Sequence, residues 1–169
     1  GALTTWTDLS RGPLPAGWEG LALAAREIGG VQVQNAGTIG GNLCQRPRCW
    51  YFRSEYFACL RKGGAACFAV DGDNRYHAIF DNAPCPIVHP SNCAVALQAS
   101  GANVTVAEPG TAAEPVRLES MPIADFFVRP ARNIRRENVL GDDQIVTGIE
   151  LPPAPATAAT YVVKHKQSH

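Results

Sequence analysis

All six cysteines fall between Cys44 and Cys93, and the stretch that holds them has no period of its own. From Cys44 to His89, prolines, glycines, aromatics and cysteines follow one another without sustained helical or strand spacing. A patternless loop of that length inside a compact domain argues against itself unless something external organises it. Structural disulfides usually tie distant segments together. Six thiols confined to one segment favour a local metal or cluster site over disulfides or unrelated buried thiols.

The spacing narrows the chemistry. Cys44, Cys49, Cys59, Cys67, Cys85 and Cys93 form no C-x-x-C pair, so the usual structural zinc and thioredoxin-like patterns are absent. Both common ferredoxin spacings fail too. Any cluster here needs widely spaced ligands. Between Cys44 and Cys93 stand Arg46, Arg48, Arg53, Arg61, Lys62 and Arg75, against Glu55, Asp71, Asp73 and Asp81. Such an excess of cations offsets the charge of a thiolate-bound cluster and favours the thiolate; the competing reading is an ordinary solvated face. His77 and His89 read as hydrogen-bonding residues rather than ligands.

Outside the loop the patterning is regular. Residues 17–29 read as a helix with Leu21, Ala24, Ala25 and Ile28 on one face, ended by Gly29 and Gly30. Residues 31–34 alternate like a short strand. After Pro90, residues 91–100 read as a helix with Ser91 as N-cap and Gly101 closing it. Strands are expected at 102–107, 116–118, 144–151 and 160–166, with a short helix at 123–128. This order predicts an α+β fold, an antiparallel sheet packed with helices.

Gly37, Gly40 and Gly41 make a glycine-rich turn, with Thr38 and Asn42 adding polar side chains. Glycines free to take positive φ let a pyrophosphate or the polar edge of a flavin approach backbone amides. The alternative is a tight turn between strand and helix. The turn is neither G-x-G-x-x-G nor a P-loop.

Composition sets wider bounds. A chain of 169 residues suits one domain or one well-filled half of a larger one. Fifteen basic and fifteen acidic side chains leave no field for nucleic acid, and no apolar run reaches the roughly 18 residues of a transmembrane helix. The start lacks a signal-peptide pattern and the single methionine is Met121, so a processed chain or a fragment is expected. No Gly-x-Ser-x-Gly elbow or His-Glu-x-x-His pair occurs, and no catalytic residue is assigned.

Residues 34–43, centred on Gly37-Thr38-Ile39-Gly40-Gly41-Asn42, resemble the signature turn of the flavin domain in the xanthine dehydrogenase and aldehyde oxidase family of molybdenum hydroxylases. The run from Arg46 to Arg53, residues 76–80 and His89-Pro90-Ser91 resemble more narrowly the flavin subunit of bacterial three-subunit aldehyde oxidoreductases. Residues 136–140 and 149–152 fit as well, so the resemblance covers nearly the whole chain. It implies FAD and a [4Fe-4S] cluster held in a loop insertion at 44–93. Cys49, Cys59, Cys67 and Cys85 match the family's ligand positions, while Cys44 and Cys93 read as small buried side chains. Ala36, Gly37, Thr38, Gly40, Gly41 and Asn42 map onto the FAD-contacting turn. Asn92 stands where the family has an aspartate near the flavin, keeping an acceptor without the charge. Lys164 matches a strand near the isoalloxazine, with a solvent-facing lysine as the plain alternative.

Residues 1–169 then correspond to the second lobe of a PCMH-type FAD-binding domain, without the first lobe or a C-terminal domain. Such a piece alone is expected to bind FAD weakly or not at all, with the cluster site complete. The implied role is electron relay in a molybdenum-containing aldehyde or xanthine-type oxidoreductase. The implied partners are a large subunit carrying the molybdenum cofactor and a small subunit with further iron–sulfur centres. The compartment stays open between bacterial cytoplasm and periplasm. Rival readings are a zinc- or disulfide-stabilised binding module and a scaffold fragment without cofactors.

Overall fold

The structure is a computed structural model that describes residues 1–155 and 159–163. Its helices, in chain order, begin with α1 (Trp6–Arg11), α2 (Glu19–Arg26), α3 (Val31–Ala36) and α4 (Ile39–Leu43). They continue with α5 (Trp50–Arg53), α6 (Phe68–Asp71), α7 (Asn92–Ala99) and α8 (Ile123–Phe126). The strands are β1 (Asn103–Pro109), β2 (Val116–Pro122) and β3 (Ile145–Glu150). The chain divides into two compact units. The first comprises Gly1–Cys44, Ser91–Phe126 and the described residues from Leu140 on; the second comprises Gln45–Pro90 and Phe127–Val139.

The first unit is built around a small antiparallel sheet of order β2-β1-β3. Central β1 turns Val104 and Val106 inward, and Val106 lies opposite both Glu119 and Val146. Helix α8 packs on β1 and β2, and α7 packs on α2, α4 and α8. Trp6, Leu43, Leu97, Ile123 and Phe126 are fully buried. Each such side chain contributes roughly 1.5–3 kcal/mol through burial. Two caps fix helix starts. Thr5 Oγ1 accepts the Asp8 amide at 3.1 Å while the Asp8 carboxylate accepts the Thr5 amide at 3.0 Å, a capping box. Ser91 Oγ accepts the Ala94 amide at 2.9 Å, and Gly101 closes α7 at φ +66°.

Two expectations change here. Residues 31–34 belong to helix α3, because a four-residue alternation has no partner strand and a helical turn satisfies its own backbone; the Gly37 amide closes it on the Val33 carbonyl at 2.7 Å. Residues 160–163 carry no strand, and the rest of that expected strand lies outside the described residues. Elsewhere the α+β arrangement follows the sequence pattern. Among the described residues, no helix is long and apolar enough to cross a membrane.

The second unit has no sheet among its described residues. Three single helical turns begin directly after cysteines: Cys49 precedes α5, Cys59 precedes a 3-10 turn at Leu60–Lys62, and Cys67 precedes α6. The segment Phe127–Val139 folds back on itself, with the Val128 amide on the Glu137 carbonyl at 3.0 Å.

Candidate functional site: a cysteine-lined pocket and a glycine turn

The chain reverses sharply between Cys59 and Cys67. Gly63 takes φ +96°, and a Cβ at Gly64 would stand 1.6 Å from the Ala58 carbonyl oxygen, so both positions require glycine. The reversal lets the Leu60 amide reach the Ala66 carbonyl at 2.8 Å. The Ala78 amide donates to the Pro86 carbonyl at 2.8 Å, anchoring the segment that carries Cys85. Tyr51, Phe57 and Phe68 pack edge to face or stacked, with centroids 5.0 to 6.1 Å apart.

These local features bring Cys49, Cys59, Cys67 and Cys85 to the wall of one pocket, together with Tyr51, Phe52, Phe68, Ile87 and Arg61. They are the same four that the sequence resemblance selects. All six cysteines are free in this structure, and the four are joined in no pairs. Burial first, and then the neighbouring Cys67, push the Cys85 thiol up to about 11, while Arg61 pulls the other way. Among the described residues, no three His, Cys, Asp or Glu side chains are drawn tightly enough together to hold a single metal ion.

Cys44 and Cys93 belong to the first unit. Cys93 is fully buried in α7, and burial pushes its thiol up to about 12. Cys44 ends α4 and is half-buried rather than buried, with burial raising its thiol.

Arg61 was visible in the sequence only as one cation among six. Its side chain is 2% exposed, and its Nη2 donates to Glu137 Oε1 at 2.6 Å and to the Arg136 carbonyl at 3.0 Å. Nε donates to the same carboxylate oxygen at 3.2 Å. Nη1 is buried without a hydrogen-bond partner. The more exposed Arg46 shares Glu137 at 3.2 Å.

The glycine turn is arranged differently from its expectation. Gly37, Gly40 and Gly41 all lack positive φ, since Gly40 and Gly41 lie inside α4. Packing explains two of them. A Cβ on Gly37 would meet the Trp6 indole nitrogen at 2.7 Å, and one on Gly40 would meet Ala2 Cβ at 2.9 Å. The turn's amides are also spent: Ile39 donates to Thr4 and Gly40 to Ala2, both at 2.9 Å, and Gly41 to the Thr38 hydroxyl at 3.2 Å.

What the turn presents outward is narrower. Ala36 and Gly41 are exposed, and Thr38 and Asn42 are half-buried. Ser91, a residue the sequence showed only as a cap, donates its hydroxyl to Asn42 Oδ1 at 2.5 Å. That bond ties α4 to the start of α7, where Asn92 is half-buried. These polar groups, rather than a nest of glycine amides, are what the turn offers. Lys164 lies outside the described residues.

Comparison with known proteins gives the chain's family. The family described as the FAD binding domain in molybdopterin dehydrogenase matches residues 1–154. The chain is 32% identical over 124 residues to the aldehyde oxidoreductase FAD-binding subunit PaoB of Escherichia coli strain K12. That match covers 72% of this chain and spans 37% of the length of the relative.

Proposed function

This chain belongs to the family of FAD-binding domains of molybdopterin dehydrogenases, and on that premise we propose that it relays electrons as part of the flavin subunit of a molybdenum-containing aldehyde or xanthine-type oxidoreductase. In this reading Cys49, Cys59, Cys67 and Cys85 hold a [4Fe-4S] cluster. Thr38, the exposed Gly41, Asn42 and Asn92 contact FAD, with Ala36 beside them. Gly37 and Gly40 shape the turn through packing. Residues 1–169 are a second lobe of the flavin domain, and the partners are a molybdenum-cofactor large subunit and an iron–sulfur small subunit. When bound, the cluster and the flavin supply the redox chemistry; the protein places them and sets their potentials.

One observation carries the proposal: four thiols from separate stretches of a patternless segment line one pocket, while the other two cysteines lie in the other unit. Ligands of a cluster with several irons stand farther apart than those of one ion, so a shared wall without a tight knot is the arrangement this reading needs. Tyr51, Phe52 and Phe68 line the same pocket as the sulfurs, and an apolar lining of this kind would tune the potential of a bound cluster. The buried Arg61 cation suits a site of net negative charge, which four thiolates give to whatever metal core they hold.

The test uses the full-length subunit, purified anaerobically with its partners. Iron and acid-labile sulfide near four of each per chain are expected, with an EPR signal after dithionite. Cys59→Ser and Cys85→Ser lose that iron, whereas Cys44→Ser and Cys93→Ser keep it. A colourless protein without iron, or one holding zinc, overturns the reading.

A further inference from the structure

Burying a guanidinium costs several kcal/mol unless its hydrogen bonds are met. Glu137 and the Arg136 carbonyl meet the needs of Nε and Nη2, and they leave Nη1 inside the protein without an acceptor. An arginine kept only to brace Glu137 has no use for that arrangement, because a buried N–H without an acceptor is destabilising. Arg61 lines the same pocket as the four thiols. The other cation on Glu137, Arg46, is 59% exposed and is screened by water.

We propose that Arg61 is a positioning and tuning residue of the cysteine pocket: its buried Nη1 is left free for the group held there, and its fixed positive charge raises that group's reduction potential. The inference rests on reading the pocket as an iron–sulfur site. Arg61 stabilises the more negative, one-electron-reduced form, since each added electron increases the attraction to a buried cation. Glu137 sets the counterweight. It orients the guanidinium through two of its nitrogens and partly offsets its charge.

The experiment is an anaerobic redox titration with dithionite, followed by EPR, on the full-length subunit in its complex. Iron and sulfide are quantified for each sample. In Arg61→Gln, the reduced-to-oxidised ratio at the wild-type midpoint should fall on the order of tenfold, about 59 mV for one electron, at unchanged iron. Arg61→Lys should recover part of the shift, and Glu137→Gln should move the midpoint upward. A purely bracing role moves stability and leaves the potential alone. Full iron with an unmoved midpoint in Arg61→Gln overturns the inference. If that variant fails to hold iron, Glu137→Gln decides: a raised midpoint supports the role and a wild-type midpoint overturns it. Wild-type protein without iron or sulfide defeats the proposed function and takes this inference with it, so the two failures read differently.

Discussion

The first unit turns Trp6, Leu97, Val104 and Phe126 inward, while the second turns in thiols, a guanidinium and a ring of aromatics. The first has a sheet, capped helices and a continuous apolar interior, the ordinary means by which a small domain offsets its conformational entropy. The second has single helical turns, with the buried, ion-paired Arg61 and four cysteines around a shared pocket. The difference teaches where stability comes from. One unit carries its own core; under the proposed function the other's core would be completed by the cluster, as in small metal-dependent domains.

The contrast can be broken most directly by removing iron from the full-length protein. Hydrogen exchange should then accelerate across residues 45–90 while β1 keeps its protection. Equal protection in both units with and without iron would erase the distinction. Next in size, Phe126→Ala should cost about 3–5 kcal/mol through the lost contacts and the cavity it leaves. Chemical denaturation measures that, and the iron content of the folded fraction should not change. A loss of iron in step with stability would show that the two interiors depend on each other.

The smallest effect concerns the start of α1. Thr5→Ala should cost about 1 kcal/mol, since the cap hydroxyl is lost. The pH dependence follows. The Thr5 hydroxyl first, and the Thr5 amide second, hold the Asp8 carboxyl below its ordinary value. A depressed carboxyl contributes stability above the unfolded pKa of about 4, and that contribution fades as pH falls through the lower folded value. Acid titration of stability in that window should therefore be shallower in the variant. Identical curves would remove the capping box from the account.

Much of the first unit was legible because its signals are local. The stripe of Leu21, Ala24 and Ala25, the Ser91 cap, Gly101 and the alternation around Val104 each report on the residues beside them. Residues 31–34 were misread because four alternating positions cannot separate a strand from a helical turn. Helix α1 escaped notice for a similar reason, being only six residues long. In the second unit the sequence showed that no period exists, and the resemblance named four cysteines. It did not show Arg61 with Glu137, because that pair joins positions 76 residues apart and no local pattern marks either.

The glycine turn carries a different consequence. Gly40 is held to its identity by Ala2, and Gly37 by the Trp6 indole, whatever occupies the outer edge of the turn. A motif kept by such steric demands survives the loss of its ligand. The run of glycines by itself is therefore a signature of this packing, and under the proposed function the residues that would report on a bound flavin are Thr38, Asn42 and Asn92.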